Sequence, residues 1–313
     1  MHFAILLLVF LLYAVLAWRD IRVALVLLAG LLPIYLLRFS ILGLPTTALE
    51  VLILICVAVW LIKHKGGKVR PRDFGPWFRP MLLLLAASTI STAIAPHLYD
   101  ALGIWKAYFI EPVLVFVMLR DLFEKSDWMR AMKALAISGI IVSCFAIFQY
   151  YTGLGIPTPW DIELRVTGFF DYPNALGLFL APIISACAVL LTSPIPKGRL
   201  RGVMAREGWG VVIAIITALL GSIAIILAQT EAAFVAIPVA LILTLMFSSA
   251  GTKTKKRVAL EALAIIILLT LAVPSVRSKI FLQDYSGQVR ISQWSETVTM
   301  LADTPKYLLL GTG

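Results

Sequence analysis

The chain has 313 residues, of which 61% are hydrophobic and 14% charged, with a formal net charge of +10. A water-soluble domain of that length has no interior large enough for so much apolar surface, so the composition points to a polytopic membrane protein. Nucleic acid is excluded as the reason for the positive charge by where the charge lies, as the loops below show.

A bilayer core takes roughly 20 apolar residues per crossing. Apolar runs of that order fall at 2–17, 21–37, 46–62, 78–95, 101–119, 131–150, 173–192, 210–228, 232–249 and 258–273. The expected fold class is therefore all-α: an integral membrane bundle of about ten helices over 1–273. A polar tail follows over 274–313. The first run, "MHFAILLLVF", has neither a basic leader nor a small-residue cleavage site and reads as a retained span. Cys56, Cys144 and Cys187 all sit inside apolar runs, without metal-ligand spacing, and read as packing residues.

The loops at 18–22, 63–79, 120–133, 197–206 and 253–257 carry 20 of the 27 Lys and Arg; of the other 7, six lie in the alternate loops and the tail, and Lys106 lies toward the outer end of the fifth apolar run. The positive-inside rule makes the first set cytoplasmic. The N-terminus, the loops 38–45, 96–100, 151–172 and 229–231, and everything after about Val273 are then outside. Facing anionic lipid accounts for the basic charge, and no nucleic-acid partner is expected.

Four places stand out in chain order. Near the middle of the fifth run, Glu111 precedes Pro112, and Lys106 lies five residues earlier. A carboxylate at that depth marks either a wet cavity or a neutral, hydrogen-bonded packing group. Pro112 has no N–H and frees a carbonyl one turn back. His97, beside Pro96 on a short outer loop, is the one histidine placed outside apart from the terminal His2, since His64 is cytoplasmic.

The second place is the outer loop "YTGLGIPTPWDIELRVTGFFDY" (151–172) and the span it enters. Pro173 suits a first helical turn. Asp171 or Asn174 is placed to cap free backbone donors. Gly168 permits a sharp turn with close backbone approach, and Gly177 permits a close helix neighbour. With Arg165 upstream, two readings fit. One is an outward-facing anion cradle suited to a lipid-linked phosphate or diphosphate; the other is a capped helix with a snorkelling Arg. Third, "AQTEAAF" (228–234) puts Glu231 at a tight outer turn, where it reads as a helix-start carboxylate or as a base. Fourth, in the tail, Ile291, Trp294, Val298 and Leu301 recur at helical spacing with Arg290, Gln293 and Glu296 between them. An amphipathic helix is expected near 286–303, lying on the membrane interface or packed on the outer face of the bundle. Arg277 and Lys279 are further outer cations.

Arg165-Val-Thr-Gly168-Phe-Phe170-Asp-Tyr-Pro173-Asn174-Ala-Leu-Gly177 resembles the Arg-x-x-Gly-x-Phe-x-x-Pro-Asn-x-Leu-Gly signature of the O-antigen ligase and polymerase superfamily. "RISQWSETVTMLADTPKYLLLGTG" (290–313) is similar to that family's Arg…Trp…Met-x-x-Asp-x-Pro…Gly-x-Gly segment, in the same order. The resemblance covers roughly 165–313. It implies a GT-C-like multi-pass enzyme of the bacterial cytoplasmic (inner) membrane with its site on the outer face. The donor would be a polyprenyl-diphosphate-linked glycan, a substrate and not a cofactor; no cofactor and no metal are expected. The acceptor would be a lipid, another glycan or a protein. Arg165, Asn174 and Arg290 are then the expected diphosphate-binding residues, with Gly168, Pro173, Gly177, Lys106 and Glu111 in support.

Two features depart from the family pattern. Where the family often has a Ser-Arg-Gly-Ala-like turn, this chain has Gln229-Thr230-Glu231 and no cation. The family's loop histidine, thought to activate the acceptor hydroxyl, is absent from 1–313, which leaves Glu231 and His97 as the candidate bases. The abrupt "LLLGTG" end raises the expectation that the chain continues past Gly313, where that histidine would lie. A polymerase of the same superfamily is the near alternative. A transporter or flippase, suggested by Glu111 and by Pro-broken spans at 112 and 238, is the alternative of another class.

Overall fold

A computed structural model describes residues 2–41, 44–64, 71–192, 208–247, 281–283 and 285–311. The expected span at 258–273 and the cations Arg277 and Lys279 lie outside the described residues. The fold is mostly helical, with four helices long and apolar enough to cross a membrane: Leu98–Leu122, Lys125–Thr152, Pro173–Leu190 and Gly210–Ala228. Shorter apolar helices occur at Ala4–Arg19, Ile21–Gly30 and Ala232–Thr244.

In chain order the elements are α1 (His2–Arg19), α2 (Ile21–Gly30), β1 (Arg38–Ile41), β2 (Leu44–Thr47), α3 (Ala48–His64), α4 (Phe78–Ala93), α5 (Leu98–Trp105), α6 (Glu111–Leu122), α7 (Lys125–Thr152), α8 (Pro173–Thr192), α9 (Gly208–Ala228), α10 (Glu231–Phe247), α11 (Tyr285–Ala302) and α12 (Pro305–Leu310). Two differences from the sequence expectation have local causes. The run 21–37 is not one helix: α2 stops at Gly30, and a 3-10 turn over Leu32–Leu36 follows, with Pro33 in its first turn. Glycine weakens the helix end and proline cannot donate into a continuing α-helix. The loop after it holds a two-stranded antiparallel hairpin, with Arg38 opposite Thr47 and Phe39 opposite Thr46.

The chain divides into two compact units, one of residues 1–56 and 123–263, the other of 57–122 and 264–313. In the first unit α7 is the central helix. Glu124 and Asp127 form a capping box at its start, and Gly153, at φ 68°, closes its end by donating to the Gln149 carbonyl at 2.7 Å. α8 and α9 pack on it through small and hydroxylated residues. Thr217 of α9 donates to the Ala136 carbonyl of α7 at 3.2 Å and lies over Gly139. A methyl on Gly221 would stand 2.8 Å from Ile184, so α8 and α9 touch through the missing side chain. Close approach at small residues is how helices associate where lipid competes on equal terms for apolar surface. Buried Val142, Leu176, Leu180, Ala224 and Ile225 fill the space between the three helices.

In the second unit Phe74 packs on Phe78 and Phe116, and the Trp60 indole donates to Asp121 at 2.8 Å. Between α5 and α6 a π turn covers Lys106–Ile110, where the Glu111 N–H donates to the Lys106 carbonyl. Pro112 explains the register: with no N–H of its own, it releases the carbonyl four residues back. α11 matches the amphipathic helix expected near 286–303, and the short α12 after it reaches α4, with Gly311 against Ser91.

Candidate functional site

The Arg165–Gly177 stretch lies in the first unit, at the end of the bundle where α7 and α9 finish and α8 and α10 begin. Loop 153–172 connects α7 to α8, and Gln229–Thr230 connects α9 to α10. The two connections touch. Thr230 donates its hydroxyl to the Pro173 carbonyl at 3.2 Å, and the Arg165 guanidinium reaches the Ala228 and Gln229 carbonyls at 3.3 and 3.5 Å. Two of the loops expected on one side of the membrane, 151–172 and 229–231, thus meet at this end of the first unit.

Arg165 is held from several directions. Nε faces the Ala228 carbonyl, the last of α9, which has no partner within its own helix, and Nη2 faces the Gln229 carbonyl just after it. A cation there also meets the negative end of the helix dipole. The guanidinium lies over the Trp160 ring at 4.9 Å from its centre. Nη1 faces the Glu163 carboxylate at 4.0 Å, the outer limit of an ion pair, and the Arg165 side chain keeps 19% of its surface exposed. Neither sequence reading, an anion cradle or a capped helix with a snorkelling Arg, included this contact with the end of α9. An open edge remains on a cation otherwise fixed in place.

The organiser of the loop is a residue the sequence did not single out. Gln149, in the last turns of α7, is fully buried. Its Oε1 accepts from the Thr167 and Gly168 N–H groups at 3.0 and 2.8 Å, and its Nε2 donates to the Gly155 and Gly168 carbonyls at 2.7 and 3.0 Å. Both donors and the acceptor oxygen of the amide are used on backbone. A polar side chain near the end of an otherwise apolar span was the available signal.

This changes the role of Gly168. Its φ of 62° requires glycine, but the residue is buried, and a methyl there would lie 3.1 Å from Leu176 and 3.2 Å from Val142. Its backbone N–H and carbonyl both meet the Gln149 side chain. Pro173 opens α8 and is buried, whereas Asp171 and Asn174 are exposed and neither side chain makes a cap hydrogen bond among the described residues. Gly177 is needed for space: a methyl there would collide with Thr230 Cγ2 and stand 2.9 Å from its Cβ. Glu231 opens α10 directly after Thr230.

The other candidates belong to the second unit. Glu111 is buried, at 6% exposure, and begins α6 beside the π turn that contains half-buried Lys106. His97 is exposed and precedes the first turn of α5 without capping it through its side chain. Arg290 is exposed on α11, as are Ile291, Trp294 and Val298. Among the described residues no three His, Cys, Asp or Glu side chains group as metal ligands would. No family model, no curated protein and no solved structure matches the chain.

Proposed function

We propose that the chain is a GT-C-like membrane glycosyltransferase of about ten spans that works on the outer face of a bacterial cytoplasmic membrane. It moves a glycan from a polyprenyl-diphosphate carrier to an acceptor, in the manner of the O-antigen ligases it resembles. One observation supports this best. The only cation of loop 151–172 is fixed at the end of α9, against the Ala228 and Gln229 carbonyls and the Trp160 ring, and keeps 19% of its side-chain surface exposed. A fixed, partly exposed guanidinium suits a diphosphate in charge and geometry.

In the proposed reaction an acceptor hydroxyl attacks the anomeric carbon, and the new C–O bond forms as the bond to the carrier phosphate breaks. The diphosphate leaves with the electron pair, and the hydroxyl proton passes to a base, for which Glu231 and His97 are the candidates within this chain. Arg165, with Asn174 and Arg290 as further candidates, would stabilise the charge growing on the leaving diphosphate.

The test is glycan transfer in cells whose own copy of the gene is deleted and replaced by Arg165→Ala or Arg165→Lys. Arg165→Ala is expected to remain inserted and to lose transfer, and Arg165→Lys to retain a small part of it. Transfer at the wild-type level by Arg165→Ala overturns the proposal. The carrier-bound glycans that accumulate in the deletion strain separate the neighbouring activities: long chains indicate ligation, single repeats polymerisation. A second reading, transport, rests on buried Glu111 beside a π turn in an apolar helix, and an unchanged carrier profile favours it.

A further inference from the structure

Loop 153–172 buries Ile156, Val166 and Phe170 but turns several large apolar side chains outward, beside the exposed Asp161, Glu163 and Asp171. Gln149 takes the backbone of residues 155, 167 and 168, while Arg165 lies on Trp160 and on the end of α9. Tyr151 and Ile162 meanwhile expose 81% of their surface each, and Leu154, Leu164, Phe169 and Tyr172 are exposed with them. Water around the loop would leave all of these large apolar side chains unburied, whereas a headgroup layer accommodates both them and the carboxylates.

The level at which these side chains emerge follows from α7. Its last charged residue is Lys133, and no charged residue follows as far as Thr152. The 18 residues from Lys133 to Tyr151 rise about 27 Å at the α-helical pitch. That is close to the ~30 Å thickness of a bilayer's hydrocarbon core. With Lys133 at one boundary, Tyr150 and Tyr151 reach the other, and α8 re-enters from the same level at Pro173. Tyrosine belongs at that boundary, with its ring among acyl carbons and its hydroxyl among headgroups.

We propose that residues 150–172 form a collar seated in the headgroup and glycerol layer of the leaflet at this end of the bundle. The partner is the lipid itself, and of the neutral, zwitterionic kind. The loop carries Asp161, Glu163 and Asp171 against the single cation Arg165, so an anionic surface would repel it. The collar places Arg165 at the depth of lipid phosphates whether or not the chain transfers glycans.

The test uses the unaltered full chain in phosphatidylethanolamine vesicles that contain a phospholipid with a photoactivatable carbene source. One set of vesicles carries the carbene source near the glycerol and another at the acyl terminus. Adducts are mapped by mass spectrometry. The expected result is adducts from the shallow probe on Tyr151, Leu154, Ile162 and Leu164, several-fold more than from the deep probe. Absence of adducts throughout 151–172, with α7 and α8 labelled normally, overturns the collar. Equal labelling by the deep probe overturns it too, because the segment would then lie in the hydrocarbon. Cross-links between copies of the chain at these residues in place of lipid adducts would mean that a second copy is the partner. Loss of glycan transfer in Arg165→Ala bears on the enzyme proposal and leaves this outcome unchanged.

Discussion

At its first turn α7 is fastened by charges in water, and at its last turns by an amide out of water. The first fastening joins Arg22 of α2 to Glu124 at 2.6 Å, with Asp127 accepting from Arg130 at 3.3 Å and from the Glu124 N–H at 3.0 Å. The second is Gln149 and its four backbone bonds to the loop before α8. Both hold a neighbouring segment to the same helix, yet they should fail very differently. Charges in water are screened and replaceable by solvent. Buried backbone groups that lose their partner have no solvent to turn to. The end with fewer charges is therefore the end where one substitution does most damage, and it is also the end that carries Arg165.

The largest effect is expected from Gln149→Leu. It strands the buried Thr167 and Gly168 N–H groups, each orphan costing about 1–3 kcal/mol, and it takes the Nε2 donor from the Gly168 carbonyl, which keeps the Thr167 hydroxyl at 3.4 Å, and from the carbonyl of exposed Gly155. Hydrogen exchange should show the Thr167 and Gly168 amides losing their protection, and the thermal midpoint in detergent should fall. A thiol-reactive dye reads that midpoint through the uncovering of Cys56 and Cys187, both buried. Gln149→Glu keeps an oxygen for the two N–H groups but has no hydrogen for the carbonyls, so it should fall between. Unchanged amide protection in Gln149→Leu breaks the comparison at once.

Next in size is Gly177→Ala. The added methyl overlaps Thr230, and overpacking of this kind costs about 1–3 kcal/mol. Thr230→Ser removes the Cγ2 methyl and keeps the hydroxyl bonded to Pro173. The double variant should recover part of the lost midpoint, which is the signature of a direct contact. If the two losses add instead, the close approach of α8 to the α9–α10 turn is not the cause.

Arg165→Met follows, with a loss of about 1 kcal/mol for a cation at a helix C-terminus. The stability change is small beside the expected loss of transfer, and comparing the two separates the capping role of this side chain from the proposed role toward diphosphate. A fall in midpoint as large as that of Gln149→Leu would assign Arg165 mainly to the fold.

How much of this was legible in the sequence differs from residue to residue. Apolar runs located most helices, because hydropathy reports the bilayer. It does not report where a helix ends: the span read as 131–150 is part of a helix running from Lys125 to Thr152, since charged residues continue a helix once it leaves lipid. α11 was readable because its apolar side chains keep helical spacing on a polar background. Gly177 was readable as a packing position, but its partner, Thr230, is 53 residues away and carries no local mark. The pairing of Gln149 with Gly168 was not readable. Which backbone a buried amide serves depends on a loop's path, and φ at Gly168 is known only once that path exists. The same dependence hid the partners of Arg165, whose motif suggested a ligand and which reaches the Ala228 carbonyl at the end of α9 and the Gln229 carbonyl after it.

The smallest effect is expected at the ionic end, from Arg22→Gln. Both members of the Arg22–Glu124 pair are well exposed, at 44% and 66% of their side-chain surface. Removing Arg22 leaves the capping box intact and leaves Asp127, the buried member of the group, with Arg130 and the Glu124 N–H. At 0.1 M salt the screening length is only about 10 Å. The midpoint of Arg22→Gln should thus lie slightly below wild type in low salt and coincide with it in high salt, while the deficit of Gln149→Leu persists at both. Asp127→Asn is the sharper probe of the same end. It keeps an oxygen for the Glu124 N–H but removes the charge facing Arg130, so any loss beyond that of Arg22→Gln measures the buried part of the network. Should Arg22→Gln lose as much as Gln149→Leu in high salt, the two ends of α7 are fastened by equal means, and exposure is not what sets their strength.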